Sequence, residues 1–209
     1  MADGTSHISL QVYPRIAEIG QAAWDGCAGS DNPFISYGFL SALEDSGSVG
    51  SRTGWHPRYA VLHDGAGAIA AVAPAYAKTN SYGEYVFDHA WANALERAGG
   101  NYYPKLQVAV PFSPVPGPRL LCRAGLPMAA MAAALEQLAE ELECSSVHAT
   151  FCTAPEWEAL GEAGWLQRLG TQFHWENAGY KNFDDFLNAL SSRKRKAIKR
   201  ERRDAQAGL

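Results

Sequence analysis

Long apolar runs are missing from these 209 residues. The Ala-rich stretch from Met128 to Leu135 comes nearest, and it falls well short of the roughly 20 residues needed to cross a bilayer. The start, MADGTSHISLQV, has no basic segment leading into an apolar one, so no signal peptide is expected. No membrane span and a cytoplasmic location are the expectations. Cysteine is scarce as well. Cys27, Cys122, Cys144 and Cys152 stand too far apart for a CxxC pair or a dense disulfide framework, which predicts reduced thiols. His56, His63 and His148 have no metal-ligand spacing with one another or with a cysteine, so no metal is expected. Charged residues are few, 19% against 47% hydrophobic. That balance excludes a wholly disordered chain and provides for one sizeable core, with or without an appendage.

What charge there is lies unevenly. Eight of the 18 basic residues fall between Arg193 and Arg203, which leaves 10 basic against 20 acidic residues before them. An acidic body of about −10 thus carries a tail of about +6, and the whole-chain value of −4 says little about partners. Within the tail, Arg193, Lys196, Arg200 and Arg203 recur at three- and four-residue steps. On a helix they share a face able to track phosphates, or they solvate a linker.

Periodicity orders the rest. Ile8, Leu10 and Val12 alternate as a strand does, and Pro14 opens a helical pattern through Ile16, Ile19, Ala23 and Trp24. A second helix follows the turn at Ser30 to Pro33. Arg58 to His63 and Ala68 to Lys78 read as strands joined across Asp64 to Gly67. A strand at Leu106 to Val110, a helix from Pro127 to Glu143, a strand at Val147 to Cys152 and a helix from Pro155 come next. Leu166 to Tyr180 suggest one or two more strands, and Phe183 to Gln206 a single long polar helix. This alternation predicts an α/β fold: a mixed sheet with helices on both faces, followed by a long basic C-terminal helix.

That order of elements resembles the acetyltransferase fold known as GNAT. The strings NPFISYGFLSALEDSG, SYGEYVFDHAW, YYPKLQVAVPFSPVPGPRLL, QFHWEN and LSSRKRKAIKRERR look like the FemAB-like branch, associated with peptidoglycan biosynthesis or recognition. Members of the wider FemABX group have two such domains in tandem with a basic helix between them, and transfer an amino acid from aminoacyl-tRNA to an amine on a cell-wall precursor. The resemblance therefore implies a GNAT-like domain over residues 1–181 and a linker helix over 182–209 leading to a second domain that is missing here. It also implies that the acyl donor, acyl-CoA or aminoacyl-tRNA, is held by that missing domain, with no cofactor in this one. A fold of this kind usually cradles the CoA pyrophosphate on backbone amides after its fourth strand. Here the run PFSPVPGPRLL puts prolines at 111, 114, 116 and 118, which remove donors. Arg119 and Arg123 read best as solvated surface residues.

The densest mixture of aromatic and ionisable side chains lies between Ser81 and Lys105. Glu84 and Asp88, four apart, would share one face of a helix, and a carboxylate beside an amine can orient it and accept its proton during acyl transfer. These two are the candidate catalytic residues. Tyr82, Trp91, Tyr102, Tyr103 and Lys105 are candidate substrate-binding residues, the aromatics by stacking and the lysine by pairing a carboxylate or phosphate. Arg193, Lys196 and Arg200 join them, with tRNA or a nucleotide-linked precursor as the partner of the basic helix. The same residues also fit a core edge of aromatics and salt-bridged charges. The leading expectation is an acyl or aminoacyl transferase acting on a small-molecule or cell-wall amine, this chain alone being inactive. The rival is a non-catalytic module that recognises a cell-wall or nucleotide-linked ligand.

Overall fold

Alternation along Tyr59–His63 decides the architecture. Successive side chains of a strand point to opposite faces, and here both sets are apolar and buried. Tyr59 and Val61 pack with Trp24, Ile35 and Leu40, while Ala60 and Leu62 pack with Met131, Leu135 and Leu138. A strand buried on both faces needs helices on both sides of its sheet. The computed structural model, which describes residues 8–86, 88–123 and 126–207, has that arrangement.

The chain divides into two units, Met1–Gln167 and Arg168–Leu209. The first contains, in order, β1 (Ser9–Tyr13), α1 (Gln21–Ala28), α2 (Tyr37–Asp45), β2 (Trp55–Pro57), β3 (Tyr59–His63), β4 (Ile69–Ala73), β5 (Ala75–Lys78), α3 (His89–Arg97), β6 (Lys105–Val108), β7 (Leu121–Cys122), α4 (Met128–Glu141), β8 (Val147–Ala149) and α5 (Ala154–Glu162). The strands form two sheets of order β1-β3-β4-β7 and β2-β5-β6-β8. Pro57 and Pro74 mark where one sheet gives way to the other, since proline donates nothing to a ladder. Two bonds still bridge the change, from Arg58 N to Ala75 O at 2.8 Å and from Ala109 N to Pro74 O at 3.2 Å. The expected hairpin forms, closed by Asp64 Oδ1 accepting from the amides of Ala66 and Ala68 at 2.9 Å each. Among the described residues only β6 and β8 run parallel, and α4 supplies the crossover that parallel neighbours require.

Three local expectations need correction. The helix expected from Pro14 is interrupted at Gly20, whose φ of 84° ends the short 3-10 turn Ile16–Glu18 before α1 begins. No strand forms between Leu166 and Tyr180. Leu166, Leu169 and Phe173 are at least 84% exposed, because a strand pattern is stable only where a neighbouring ladder takes its N–H and C=O groups. Finally, the single helix expected from Phe183 is two, α6 (Phe183–Ala189) and α7 (Ser192–Gln206). Leu190 is extended, with ψ of 154°. Arg195 folds back to the end of α6, its Nε donating to Leu187 O and its Nη2 to Leu190 O, both at 3.0 Å. A guanidinium thus satisfies carbonyls that an unbroken helix would have used itself. In this second unit Trp175, Tyr180 and Phe186 pack ring on ring, with centroids 5.7–6.5 Å apart.

Candidate functional site

The antiparallel pairing of β5 and β6 sets Lys78 directly opposite Lys105. Like charges across a ladder repel, and neither lysine is more than 1% exposed. Two buried ammonium groups persist only if anions come to them. Those anions are Glu84 and Asp88, both 2% exposed. They do not share a helical face as their spacing suggests. Glu84 lies in the loop after β5, and Asp88 occupies the cap position before α3. Lys105 itself brings them together, its Nζ donating to Glu84 Oε2 at 2.7 Å and to Asp88 Oδ2. Tyr102 Oη completes the hold on Asp88 Oδ2 at 2.7 Å.

Lys78 is treated differently. Its Nζ sits 3.8 Å from the centre of the Trp55 ring and donates to the carbonyl of Tyr82 at 3.2 Å. Among the described residues it forms no ion pair within 4.0 Å, whereas Lys105 forms two. Trp55 Nε1 donates to the same Tyr82 carbonyl at 3.1 Å. Gly83, with φ of 79°, passes so close to the Phe112 ring that a methyl group there would lie 2.5 Å from it. Its carbonyl accepts from Phe112 N at 3.1 Å. Tyr85 and Phe112 both take positive φ values, 56° and 57°, a conformation that bulky residues seldom adopt and that costs of order 1–3 kcal/mol.

The electrostatics separate the two carboxylates. For Asp88, burial pushes upward, but hydrogen bonds from Lys105, Ser81 and Tyr102 outweigh it and bring the pKa down to about 2. For Glu84, burial dominates and raises the pKa, Lys105 and Lys78 offsetting only part. Burial likewise lowers Lys78 to about 8, against the opposing pull of Glu84. Asp88 is thereby held ionised, while Glu84 binds a proton more readily than an ordinary carboxylate. Glu84 Oε1 and Asp88 Oδ1 are buried without a hydrogen-bond partner. The Ser81 hydroxyl, which helps to favour the charged form of Asp88, also lies 2.7 Å from Tyr103 Oη.

The structure thus gathers Glu84, Asp88, Tyr102 and Lys105 into one buried cluster and sets Tyr103 beside it through Ser81. It does not bring Tyr82 and Trp91 inward. Tyr82 contributes a carbonyl while its ring is 75% exposed, and Trp91, on α3, is 52% exposed. Arg193, Lys196 and Arg200 lie exposed on α7 of the second unit. Lys105 does not present itself to an external anion, because both carboxylates already occupy it. Sequence reading missed Lys78 as part of the cluster. The signal was a lysine ending the otherwise apolar run IAAVAPAYAK, but its placement opposite Lys105 depends on strand register.

A second buried charge lies beyond β6. Arg119, expected at the surface, is fully buried. Its guanidinium donates to Thr150 O at 3.0 Å, Pro118 O at 3.0 Å and Val115 O at 2.7 Å. Glu156 accepts from the amides of Arg119 and Leu120 at 2.6 Å each, and from Thr153 N and Oγ1 at 2.9 Å. These bonds, with those of Phe112 to Gly83 O, Ser113 to Val110 O, Val115 to Ser113 Oγ and Gly117 to Phe151 O, engage every N–H from Phe112 to Leu120. The prolines between them have none. Among the described residues from Phe112 to Leu120 no amide is left free to cradle a pyrophosphate, so this stretch does not fit the CoA grip usual for such a fold.

Comparison with known proteins adds the following. The FemAB-like family, described by peptidoglycan biosynthesis/recognition, matches residues 15–209. An aminoglycoside N-acetyltransferase solved in complex with CoA superposes with a TM-score of 0.50 at 12% identity, covering 85% of this chain and 100% of the other. That likeness shows the GNAT fold. An acetyltransferase of Trypanosoma brucei aligns over 82% of this chain and 100% of its own, with a TM-score of 0.40 and 14% identity. No curated protein matches the sequence.

Proposed function

The chain belongs to the FemAB-like family, and from that premise we propose that it is the acceptor half of an N-acyl or aminoacyl transferase. One observation carries the reading. Glu84 is a buried carboxyl whose affinity for a proton is raised, with one oxygen held by Lys105 and the other unbonded. An acceptor arrives as an ammonium ion, and Glu84 Oε1 takes one of its protons. The neutral amine then attacks the acyl carbon, an amide forms, and the bond to the leaving group breaks as that group is protonated. Asp88, kept ionised, offsets the positive charge of Lys105 and leaves Glu84 free to change its protonation. Tyr82, Trp91, Tyr102 and Tyr103 are the residues we assign to the body of the acceptor.

The donor belongs elsewhere in this reading. The loop after β6 has spent its amides, so acyl-CoA or aminoacyl-tRNA would be held by a following domain, with Arg193, Lys196 and Arg200 toward the phosphates of a tRNA or a nucleotide-linked cell-wall precursor. We assign the reaction to the cytoplasm. The alternative, a recognition module without chemistry, draws on the closure of the cluster, none of whose four charged groups is more than 2% exposed.

The test compares this chain with a longer one that includes the next domain, using candidate amines with acyl-CoA or aminoacyl-tRNA. Turnover is expected from the longer chain alone, and Glu84→Gln should reduce it by about 10²-fold or more. Equal turnover by the Glu84→Gln protein would remove Glu84 as base. Robust turnover by the short chain would end the split-site reading.

A further inference from the structure

The buried carboxylates pose a problem of access. Glu84 and Asp88 are sealed from solvent, so no substrate atom reaches them while residues 80–86 stay where they are. That loop is held by identifiable contacts, among them the ion pair of Glu84 Oε2 with Lys105 Nζ at 2.7 Å and the hydrogen bond between Ser81 Oγ and Tyr103 Oη at 2.7 Å, both of which must part for it to open. The Tyr82 carbonyl takes hydrogen bonds from Trp55 Nε1 at 3.1 Å and Lys78 Nζ at 3.2 Å. The Gly83 carbonyl takes one from Phe112 N at 3.1 Å, and a methyl group on Gly83 would lie 2.5 Å from the Phe112 ring. Outside, Tyr82 and Tyr85 are 75% and 54% exposed. Strained φ angles at Tyr85 and Phe112 fall on the two segments that meet there.

We propose that residues 80–86 form a lid that carries Glu84 and exposes it to substrate on opening, and that the Lys78 ammonium, sealed beneath it against Trp55 without a carboxylate in ion-pair range, is the charge that works against its closing. Opening returns Lys78 to water, where an ammonium is better solvated than against an indole. The groups that face Lys78 are Glu84 and Asp88 from the loop, Lys105 from β6 and the Trp55 ring from β2. Glu84 and Asp88 attract it, and Lys105 repels it. Burial wins, since the Lys78 pKa is lowered to about 8 when the lid is shut. The sign follows from linkage. Closing favours loss of the Lys78 proton, so the lid closes more firmly as pH rises from about 8 toward the ordinary lysine range. The lid has a purpose only if Glu84 acts on a substrate, and in that respect the inference rests on the function proposed above.

Hydrogen exchange followed by NMR tests the lid without any substrate, so its outcome is separate from that of the transfer assay. The reporters are the Trp55 indole N–H and the Phe112 amide, which donate to lid carbonyls. The controls are the amides of Arg58 and Thr150, bonded to Ala75 O at 2.8 Å and Val108 O at 3.1 Å. After correction for intrinsic exchange, the reporters should exchange at least about tenfold faster than the controls in the unaltered protein, a tenfold step corresponding to about 1.4 kcal/mol of opening free energy. Gly83→Ala, whose new methyl meets Phe112 and whose φ disfavours a side chain, should speed the reporters roughly tenfold further. Lys78→Met, which keeps the apolar stem and removes the charge, should slow them by roughly tenfold and abolish the gain in protection between pH 7 and 9. Unchanged control rates certify that each variant is folded, and the first comparison needs no variant. Reporters that exchange together with the controls would make the loop part of the core and overturn the lid. Acceleration by Lys78→Met would make Lys78 a latch and overturn its assigned role.

Discussion

Two buried carboxylates, Glu84 and Glu156, lie in the same unit and are both at most 2% exposed, yet their surroundings differ in kind. Glu156 accepts four hydrogen bonds spread over both oxygens, from the amides of Arg119, Leu120 and Thr153 and from the Thr153 hydroxyl. Glu84 has one oxygen in an ion pair and one with nothing. A fully satisfied buried charge holds a fold together, and a half-satisfied one retains capacity for something not yet present. Burial of charge alone does not mark a functional site. The unsatisfied oxygen of Glu84 is the difference on which the proposed function draws.

The sharpest way to break this comparison is to make the same substitution at both places. Glu84→Gln should lower transfer in the longer chain by about 10²- to 10⁴-fold at a cost of about 1–2 kcal/mol, because its amide oxygen still accepts from Lys105 although one buried negative charge is lost. Glu156→Gln should do the reverse. It leaves amides of Arg119, Leu120 and Thr153 short of an acceptor and should cost about 2–4 kcal/mol in denaturant unfolding. If both variants lose stability alike and neither affects transfer, the cluster around Glu84 is structural and the contrast collapses. Of like size is Lys105→Met, which strands two carboxylates and should cost roughly 3–5 kcal/mol at neutral pH. Much of that loss should return in acid, where the stranded carboxyls protonate.

The titration of Asp88 sharpens the comparison further. Its pKa, about 2 in the folded chain against an ordinary 3.8, is depressed. Its contribution to stability is thus complete above about pH 4 and disappears as pH falls through about 2. Asp88→Asn should flatten that part of the acid unfolding curve and leave the neutral region parallel to the original. Smallest of all, Arg195→Ala should cost about 1 kcal/mol, felt only by α6 and α7 in exchange measurements, since it removes hydrogen bonds to carbonyls at one helix end.

Much of the fold was legible because its causes are local. The alternation of Ile8 to Val12, the Asp64 to Gly67 turn and the Ala-rich helix each contain the periodicity or turn chemistry that creates them. Glu84, Asp88, Tyr102 and Lys105 were legible as a group from sheer density, without the geometry that unites them. The rest depended on distant partners. Nothing near Lys78 announces that β6 will place Lys105 opposite, and nothing near Arg119 announces that Val115, Pro118 and Thr150 will turn three carbonyls toward it. The string from Leu166 to Tyr180 carries strand-forming side chains, but pairing is a property of two segments. The break at Leu190 escaped notice because the residue that stabilises it, Arg195, was counted as one more charge in a basic run.

The parallel pair of β6 and β8 also has a consequence in time. Leu106 and Val147 pair across about forty residues of intervening chain, whereas β3 and β4 meet across a turn of a few. During synthesis the hairpin closes as soon as it leaves the ribosome, but Leu106 and Val108 wait for α4 and β8 to be made before their second neighbour exists. For some seconds at ordinary elongation rates, the apolar surface beneath α4 is uncovered. That interval is set by the order of the strands along the chain, not by any weakness of the finished protein.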